Sequence, residues 1–599
     1  MKDRINSILK EFVNDPTRLM NILHKVQDSF GYIPDEAVSQ IAAGLNMSEV
    51  DIEQTISFYH FFLRKPAGRY MIYLNDSVMS RMHGYEKVKK VFEENLGTPI
   101  GSMSQDGIGF YRTACIGMSD QEPAALINNK VFTNLTVEKV EQIVAGMKGG
   151  REVEHLLNLG YGDGNNSHTL IRSMVNNNIR KSGKLLDDFY EPGTALEIAL
   201  NKSEWEVIGI VKTSGIRGRG GAGFPTGMKW EFCRLSPGHP KYVFCNADEG
   251  EPGTFKDRVL LTEKAKVMFE GMTIAGYAIG AKEGILYLRY EYKYLVEYLE
   301  SILKELRESN RLGNNILGKE GFNFDIRIQL GAGAYICGEE SALIESAEGK
   351  RGEPRYKPPF PVEAGFKGKP TSVNNVETFC SICRIIERGG EWFRNLGTSA
   401  STGTKLLSIS GDCPRPGVYE VEWGITVEEM LNMVGAVNVQ AIQIGGPSGT
   451  LISPDEGEFQ PICYNHLATG GAIMIFDKTR NLLKDVVRPF MDFFIDESCG
   501  SCSTCRITSQ QLAGKLDKIL SGHGVARDLD DLESWSKIML ASRCGLGQSA
   551  ANPITTSLKN FRNLYEDLIR KDTDCDTGFD LGQAVTEYCE ATGREPVLD

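Results

Sequence analysis

Cys499-Gly-Ser-Cys502-Ser-Thr-Cys505 sets three thiols at regular spacing, and a fourth, Cys544, follows 39 residues later in Ser542-Arg543-Cys544-Gly545. Three thiolates on a tight loop, closed from the far side by a distant one, commonly hold the four irons of a [4Fe–4S] cubane. Gly500 lets backbone approach sulfur, whose negative charge nearby N–H donors favour. Tetrahedral zinc is the rival for such ligands. Zinc sites usually add a second close pair of cysteines, and none is present here. The regular spacing argues against three unrelated buried thiols.

At ~100–200 residues per domain, the 599 residues make roughly three to five domains. The chain carries 66 Lys and Arg against 79 Asp and Glu, a net charge of -13. That balance speaks against nucleic acid or an anionic membrane as the main partner. A composition 41% hydrophobic and 24% charged belongs to a globular chain. No run reaches the ~20 apolar residues of a membrane span. The best candidate, Gly271 to Ala281, is short and flanked by Glu270 and Lys282. The amphipathic N-terminus lacks an apolar secretory core, so no signal peptide is expected, and the cytoplasm is the expected location. In such a reducing compartment, the 14 cysteines point to metal rather than disulfides.

The fold class expected is α/β multidomain. Residues 1–65 read as a helical bundle, with start signals at Asn14-Asp15-Pro16-Thr17 and Asn46-Met47-Ser48. Residues 66–147 read as a small α/β module. The polar, glycine-rich stretch 148–204 reads as a linker and surface arm. Residues 205–395 alternate helices with apolar strands around long glycine-rich loops. Residues 396–485 form a short β-rich module, and 486–599 a helical domain with the cysteine cluster and an acidic tail.

Gly218-Arg219-Gly220-Gly221-Ala222-Gly223 matches G-x-G-x-x-G, a weak signal by itself. A dinucleotide fingerprint needs a clean strand before it, and Trp205 to Thr213 suits a helix as well. In either case exposed N–H groups let a phosphate approach closely. Phe224, Lys229 and Phe232 follow, offering rings to stack on a heterocycle. The strand Tyr242 to Cys245 delivers Asn246, Asp248 and Glu249 to its carboxyl end, where ligands bind in α/β sheets. A second glycine stretch brings Tyr335, Gly338, Glu339 and Glu340 just after another strand. Lys350, Arg351, Arg355 and Lys357 form a basic loop before Phe360. Asn374, Asn375 and Thr378 supply amides and a hydroxyl for a heterocycle or ribityl chain.

These segments carry a specific resemblance. Residues 205 to about 570 resemble the NADH-oxidising flavoprotein subunit of respiratory complex I and its relatives, through Gly218 to Trp230, Cys245 to Arg258, Gly331 to Gly349, Lys357 to Thr378, Glu497 to Arg506 and Ser542 to Gly547. The first ~145 residues resemble the thioredoxin-like partner of that flavoprotein, joined in front of it. The fusion resembles the diaphorase flavoprotein (alpha) subunits of soluble NAD-reducing [NiFe] hydrogenases, a likeness strengthened by Ser57 to Phe62 and Cys115 to Pro123.

The resemblance implies FMN contacts at Gly218, Arg219, Gly220, Gly221, Lys229, Asn246, Asp248, Glu249, Gly338, Glu339, Asn374, Asn375 and Thr378. It implies that NAD(H) lies over the flavin, with Phe224, Phe232 and Phe360 stacking, Lys357 and Glu340 at its polar edge and Tyr335 beside this wall. Hydride passes directly to the flavin, so no catalytic side chain is expected. A [4Fe–4S] cluster on Cys499, Cys502, Cys505 and Cys544 would carry electrons to an iron–sulfur subunit and [NiFe] hydrogenase subunits. The same flavoprotein could also serve a formate dehydrogenase, an electron-bifurcating complex or a complex I-type dehydrogenase. Residues 396–485 are expected to be β-grasp-like. The four [2Fe–2S] positions of the thioredoxin-like family map to Asn75, Ser80, Cys115 and Ser119. Amides and hydroxyls cannot replace three thiolates, so no [2Fe–2S] cluster is expected.

Overall fold

The structure is a computed structural model that describes residues 1–157, 161–187 and 189–570, with 585–586, 589–590 and 592–593. The acidic tail at 571–599, with Cys575, thus falls almost wholly outside the described residues. The chain divides into two compact units, Met1–Arg480 and Asn481–Asp599. No helix among the described residues is long and apolar enough to cross a membrane.

In the first unit, helices Lys2–Glu11, Leu19–Phe30, Asp35–Leu45 and Glu49–Phe58 form the N-terminal bundle. The sequence signals do what their chemistry predicts. The Asp15 carboxylate accepts from Thr17 N and the Ser48 hydroxyl from Asp51 N, each satisfying an orphan donor of a first turn. A five-stranded sheet follows, in the order Ser102–Met103, Ile108–Thr113, Tyr70–Asn75, Ala125–Ile127, Lys130–Phe132. Helices Tyr85–Leu96 and Val137–Lys148 pack against one another in this module, over a core that includes Ile72, Phe92 and Phe110.

Four parallel strands make the next sheet, in the order Thr371–Asn375, Tyr242–Ala247, Glu283–Leu288, Asp325–Leu330. Thr371–Asn375, read from sequence only as a supply of polar groups, is therefore a strand beside Tyr242–Ala247. Its register sets Asn375 opposite Asn246 at the carboxyl ends. Helices Ala265–Ile279 and Val376–Arg388 bury nearly all their residues in the same core. A six-stranded mixed sheet completes the unit, in the order Thr450–Ile452, Val439–Ile444, Ala472–Asp477, Thr404–Gly411, Gly417–Glu422, Ile179–Lys181.

Two readings change. Residues 204–214, equivocal in sequence, form a helix, Glu204–Ser214. Ser203 and Glu206 close a capping box at its start. The glycine loop therefore follows a helix, which removes the strand that a dinucleotide fingerprint requires. The segment 148–204 is not a surface arm. Ile179–Lys181 adds a strand beside Gly417–Glu422, and Ile171, Val175, Leu185 and Leu186 lie in the main core. Two of its asparagines, Asn166 and Asn177, are buried too and bond one another at 2.7 Å.

The second unit is helical, with Arg488–Glu497, Ser503–Leu520, Ala526–Ile538 and Asn552–Asn560 as its longer elements. Within the first unit, Ile171→Ala removes a side chain that is 0% exposed, and is expected to cost about 2–5 kcal/mol. Thermal or denaturant unfolding checks this. A change within ~0.5 kcal/mol would mark the segment as surface after all.

Candidate functional site

The first candidate site sits at the carboxyl ends of Tyr242–Ala247 and Thr371–Asn375. Asn246 donates from Nδ2 to Gly338 O at 2.8 Å, joining the first acidic loop to the second glycine stretch. Asn374 Oδ1 accepts from Trp230 Nε1 at 3.0 Å and from Ser372 at 3.2 Å. Asn375 donates to Asp257 Oδ2 at 2.6 Å, and its Oδ1 accepts from Glu377 N at 3.0 Å and Lys256 Nζ at 3.2 Å. The two amides are thus held in fixed orientations. Thr378 Oγ1 accepts from Arg219 N at 2.9 Å, pinning the glycine loop to the helix that follows the strand.

The loop itself is tightly held. Gly221 takes φ +129, which side chains other than glycine rarely adopt. A Cβ on Gly223 would lie 2.5 Å from the Tyr464 ring, and Tyr464 Oη donates to Gly218 O at 2.6 Å. Arg219 departs from expectation. Its guanidinium is 0% exposed, donates to Thr402 O at 2.6 Å and lies near Phe393 and Trp423. That side chain fastens the loop to the neighbouring module and does not line an open site.

Across the cleft, Lys229 Nζ meets Glu340 Oε2 at 3.0 Å, and Lys357 Nζ meets Glu339 at 2.7 Å and Glu340 at 3.2 Å. Burial pushes the Glu340 carboxyl up, but Lys229 and Lys357 outweigh it and hold it below the usual range. For Lys357, burial pulls down, yet Glu339 and Glu340 raise it above its ordinary value. Glu339 also caps helix Glu340–Ala347, accepting from Ser341 N and Ala342 N. Phe224 is 44% exposed, Phe232 42% and Phe360 50%. Large rings left in water beside such a wall are available to stack on a planar ligand.

Sequence reasoning missed several members. Glu251 accepts from Tyr335 Oη and from Ser448 N at 2.9 Å, so Tyr335 is tied to the loop at Gly445–Gly449. Lys256, Asp257, Glu377 and Lys405 form a buried ion cluster under Asn375. Burial pushes the Lys405 ammonium down to about 7, against the pull of Glu377. Glu251 and Asp257 lay within an acidic stretch already singled out. Lys405, on a strand about 30 residues beyond the last site motif, gave no local signal.

In the second unit, Cys502 and Cys544 are each the cap residue before a helix, Ser503–Leu520 and Gly545–Ser549. The N–H groups and dipole of a first turn favour thiolate there. Thr504 and Ser542 hydroxyls lie 3.1 Å apart, stitching the two cysteine segments together. A Cβ on Gly547 would lie 2.5 Å from Ser542 Cβ and 3.3 Å from Cys505 Cβ, so a side chain there would force Ser542 to shift. Cys505 is buried, while Cys499, Cys502 and Cys544 are partly exposed. Among the described residues, no three His, Cys, Asp or Glu side chains converge as the ligands of a single metal ion would. A cubane needs a wider frame, because its four thiolates bind four different irons.

The four positions that a [2Fe–2S] cluster would need are Asn75, Ser80, Cys115 and Ser119, all buried. Cys115 Sγ lies 3.7 Å from Ser119 Oγ, and Asn75 Nδ2 donates to Glu122 Oε1. Burial holds the Glu122 carboxyl well above its usual range despite hydrogen bonds from Ser80, Ala124 N and Asn75. Amide, hydroxyls, one thiol and a neutral carboxyl do not fit a cluster that asks for four thiolates.

Together these features define a class: an α/β protein of two units, the first with polar side chains gathered at the carboxyl ends of a parallel sheet and the second helical, carrying Cys499, Cys502, Cys505 and Cys544. Comparisons with known proteins agree. Residues 211–384 match the family model described as Nuo51 FMN-binding domain, and 485–568 match NADH-ubiquinone oxidoreductase-F iron-sulfur binding region. Residues 5–148 match Thioredoxin-like [2Fe-2S] ferredoxin. That description runs against the expected absence of a [2Fe–2S] cluster, while the likeness it reports is one of module and fold. The NAD-reducing hydrogenase HoxS subunit alpha of Cupriavidus necator is 49% identical over 99% of this chain and 98% of its own length. An NADH-quinone oxidoreductase subunit of Aquifex aeolicus is 41% identical over 64% of this chain and 92% of its own. A crystal structure of NAD+-reducing [NiFe]-hydrogenase in the H2-reduced state aligns with TM-score 0.86 at 35% identity, covering 97% of both chains. The chain belongs to the family of alpha subunits of NAD-reducing hydrogenases, an NAD-dependent oxidoreductase family with FMN-binding and iron–sulfur domains.

The buried Glu122 gives a signed prediction. From the ordinary carboxylate range upward, the unfolded chain loses a proton that the folded chain keeps, so stability falls as pH rises through that window. Glu122→Gln keeps the neutral shape. Its melting temperature is expected to exceed the parent's near pH 8 and to lose that advantage near pH 4, where the parent carboxyl is neutral in both states.

Proposed function

We propose that this chain is the cytoplasmic diaphorase subunit of an NAD-reducing hydrogenase. It would exchange hydride between NAD(H) and FMN, and pass single electrons through a [4Fe–4S] cluster on Cys499, Cys502, Cys505 and Cys544 to an iron–sulfur subunit and [NiFe] subunits. The observation that carries this reading is the 49% identity over 99% of the chain, which includes the N-terminal fusion. The Aquifex aeolicus relative covers only 64% of the chain, which speaks against a plain complex I-type role.

Bound FMN supplies the conversion between a two-electron hydride and one-electron carriers. The chain's own residues align and exclude. Asn246, Asn374 and Asn375 offer oriented amides at the strand ends, and the loop Gly218–Gly223 follows a path that only glycine takes readily at Gly221 and Gly223. Arg219 holds that loop through Thr402. Phe224, Phe232 and Phe360 would stack the nucleotide, Lys357 would approach its phosphate or ribose and Glu340 its polar edge, while Lys229, paired with Glu340, would contact the flavin. Direct transfer between rings asks for alignment and no general base. The four thiols suit the [4Fe–4S] cluster. We assign no [2Fe–2S] cluster to the N-terminal module, on the strength of one thiol among its four positions.

Iron and acid-labile sulfide should stand at four per FMN in the purified chain, and Cys502→Ala should lose the iron while keeping the flavin. Six irons per flavin, or zinc in place of iron, refutes the assignment. Lys357→Ala removes two ion pairs at the nucleotide edge and leaves the flavin loop intact. It is expected to raise the KM for NADH roughly tenfold, with a smaller effect on kcat, in NADH-dependent reduction of an artificial acceptor.

A further inference from the structure

The loop Cys115–Asp120 of the N-terminal module reaches toward Glu249 by two polar links and one close packing contact. The first runs through Arg289, just beyond strand Glu283–Leu288. Its guanidinium donates to Cys115 O at 2.6 Å and to the backbone carbonyl of Glu249, while Glu291 pairs with it at 2.6 Å. The second runs through Tyr292. Its hydroxyl donates to Glu249 Oε2 at 2.8 Å, and Gly117 lies so near that a Cβ there would sit 2.2 Å from that hydroxyl. The third is an ion pair between Arg258 and Asp120 at 3.0 Å, with both side chains 0% exposed. Arg258 N in turn donates to Glu249 Oε2 at 3.2 Å.

Such an arrangement is a poor way merely to attach two modules. Burying these charges costs desolvation that an apolar contact would avoid. Directional bonds add orientation, and here they converge on both ends of one residue, its carbonyl and its carboxylate. Asp257 N supplies a further donor to that carboxylate at 2.8 Å. With Tyr292 and Arg258 N, three donors hold it.

We infer that the loop Cys115–Asp120 is a positioning element for Glu249, and that through Arg289, Tyr292 and Arg258 it sets the affinity and midpoint potential of the flavin. This rests on the reading of Glu249 as part of the flavin site. The N-terminal module then serves the hydride chemistry at a distance, by fixing the carbonyl and carboxylate of a residue that would belong to the flavin site.

The test uses the full chain in its complex, stripped of FMN and titrated with FMN by fluorescence. A redox titration of the reloaded flavin and thermal melting run in parallel. The link variants are Asp120→Asn, Gly117→Ala and the mild Tyr292→Phe, which keeps the ring and removes one hydroxyl. The control is Val88→Ala, in the module's own core and remote from the links. Each link variant is expected to weaken FMN binding on the order of fivefold, about the net worth of one ordinary hydrogen bond, and to move the flavin's midpoint potential. Val88→Ala is expected to lower the melting temperature and leave both flavin readings alone. Unchanged affinity and potential in the link variants, with normal FMN binding by the parent, overturn the inference alone. An equal flavin shift in Val88→Ala also overturns it, since the effect would then be general loosening. A parent that binds no FMN overturns the reading of the site as well.

Discussion

Glu377 lies in the first turn of helix Val376–Arg388 with 1% of its surface exposed, and receives the ammonium groups of both Lys256 and Lys405. Its other oxygen accepts from Leu406 N at 2.9 Å. Burial alone would push this carboxyl up, but Lys405, Lys256 and Arg219 hold it below its usual range. A helix N-terminus favours the negative charge further. Lys256 continues to Asp257 and Asn375, so one carboxylate links the strand carrying Lys405 to the amide at the centre of the cleft. Removing it would leave Lys405 buried without its counter-charge and Lys256 with Asp257 alone, which is far more costly than losing a surface pair.

The same logic recurs around the cleft. Arg219, Arg258 and Arg289 are buried, and each ties a site loop to something outside the parallel sheet: Thr402, Asp120 and Cys115. The glycine loop, the acidic loop and the second glycine stretch carry little apolar surface to hold them in shape. Polar anchors replace the packing that such loops lack, at the cost of desolvation. What remains open to solvent is a small set of aromatic rings and one chain of alternating charges, Lys229, Glu340, Lys357 and Glu339. That division between a locked floor and an accessible wall suits a resident cofactor below and an exchanging nucleotide above.

The N-terminal module matches the thioredoxin-like [2Fe-2S] ferredoxin family. Its sheet order and its core do not depend on thiolates, because Ile72, Phe92 and Phe110 supply the burial. Around Cys115, Asn75 donates to Glu122 and Ser119 Oγ lies 3.7 Å from the thiol, all of them buried. The loop between Cys115 and Glu122 remains committed all the same, since it is buried against Arg289, Tyr292 and Arg258.

Much of this was legible in the residues. Four cysteines announce their site because three of them are neighbours in the chain. The strand Tyr242–Ala247 and the loop behind it are legible because an apolar run ending in turn residues has few other outcomes. The setting of Arg219 was not legible, since only the fold brings its guanidinium to the Thr402 carbonyl. Ile179–Lys181 was invisible, because a three-residue edge strand with two charged residues has no periodicity to detect. The sequence by itself determined the local chemistry: which loops carry thiols, amides and charges, and where strands and helices begin. Tertiary structure alone decided which of those charges are buried together. Lys405 and Glu377, or Asp120 and Arg258, stand far apart along the chain, and ion pairs depend on distance in space and on the exclusion of water, neither of which is written in the order of residues.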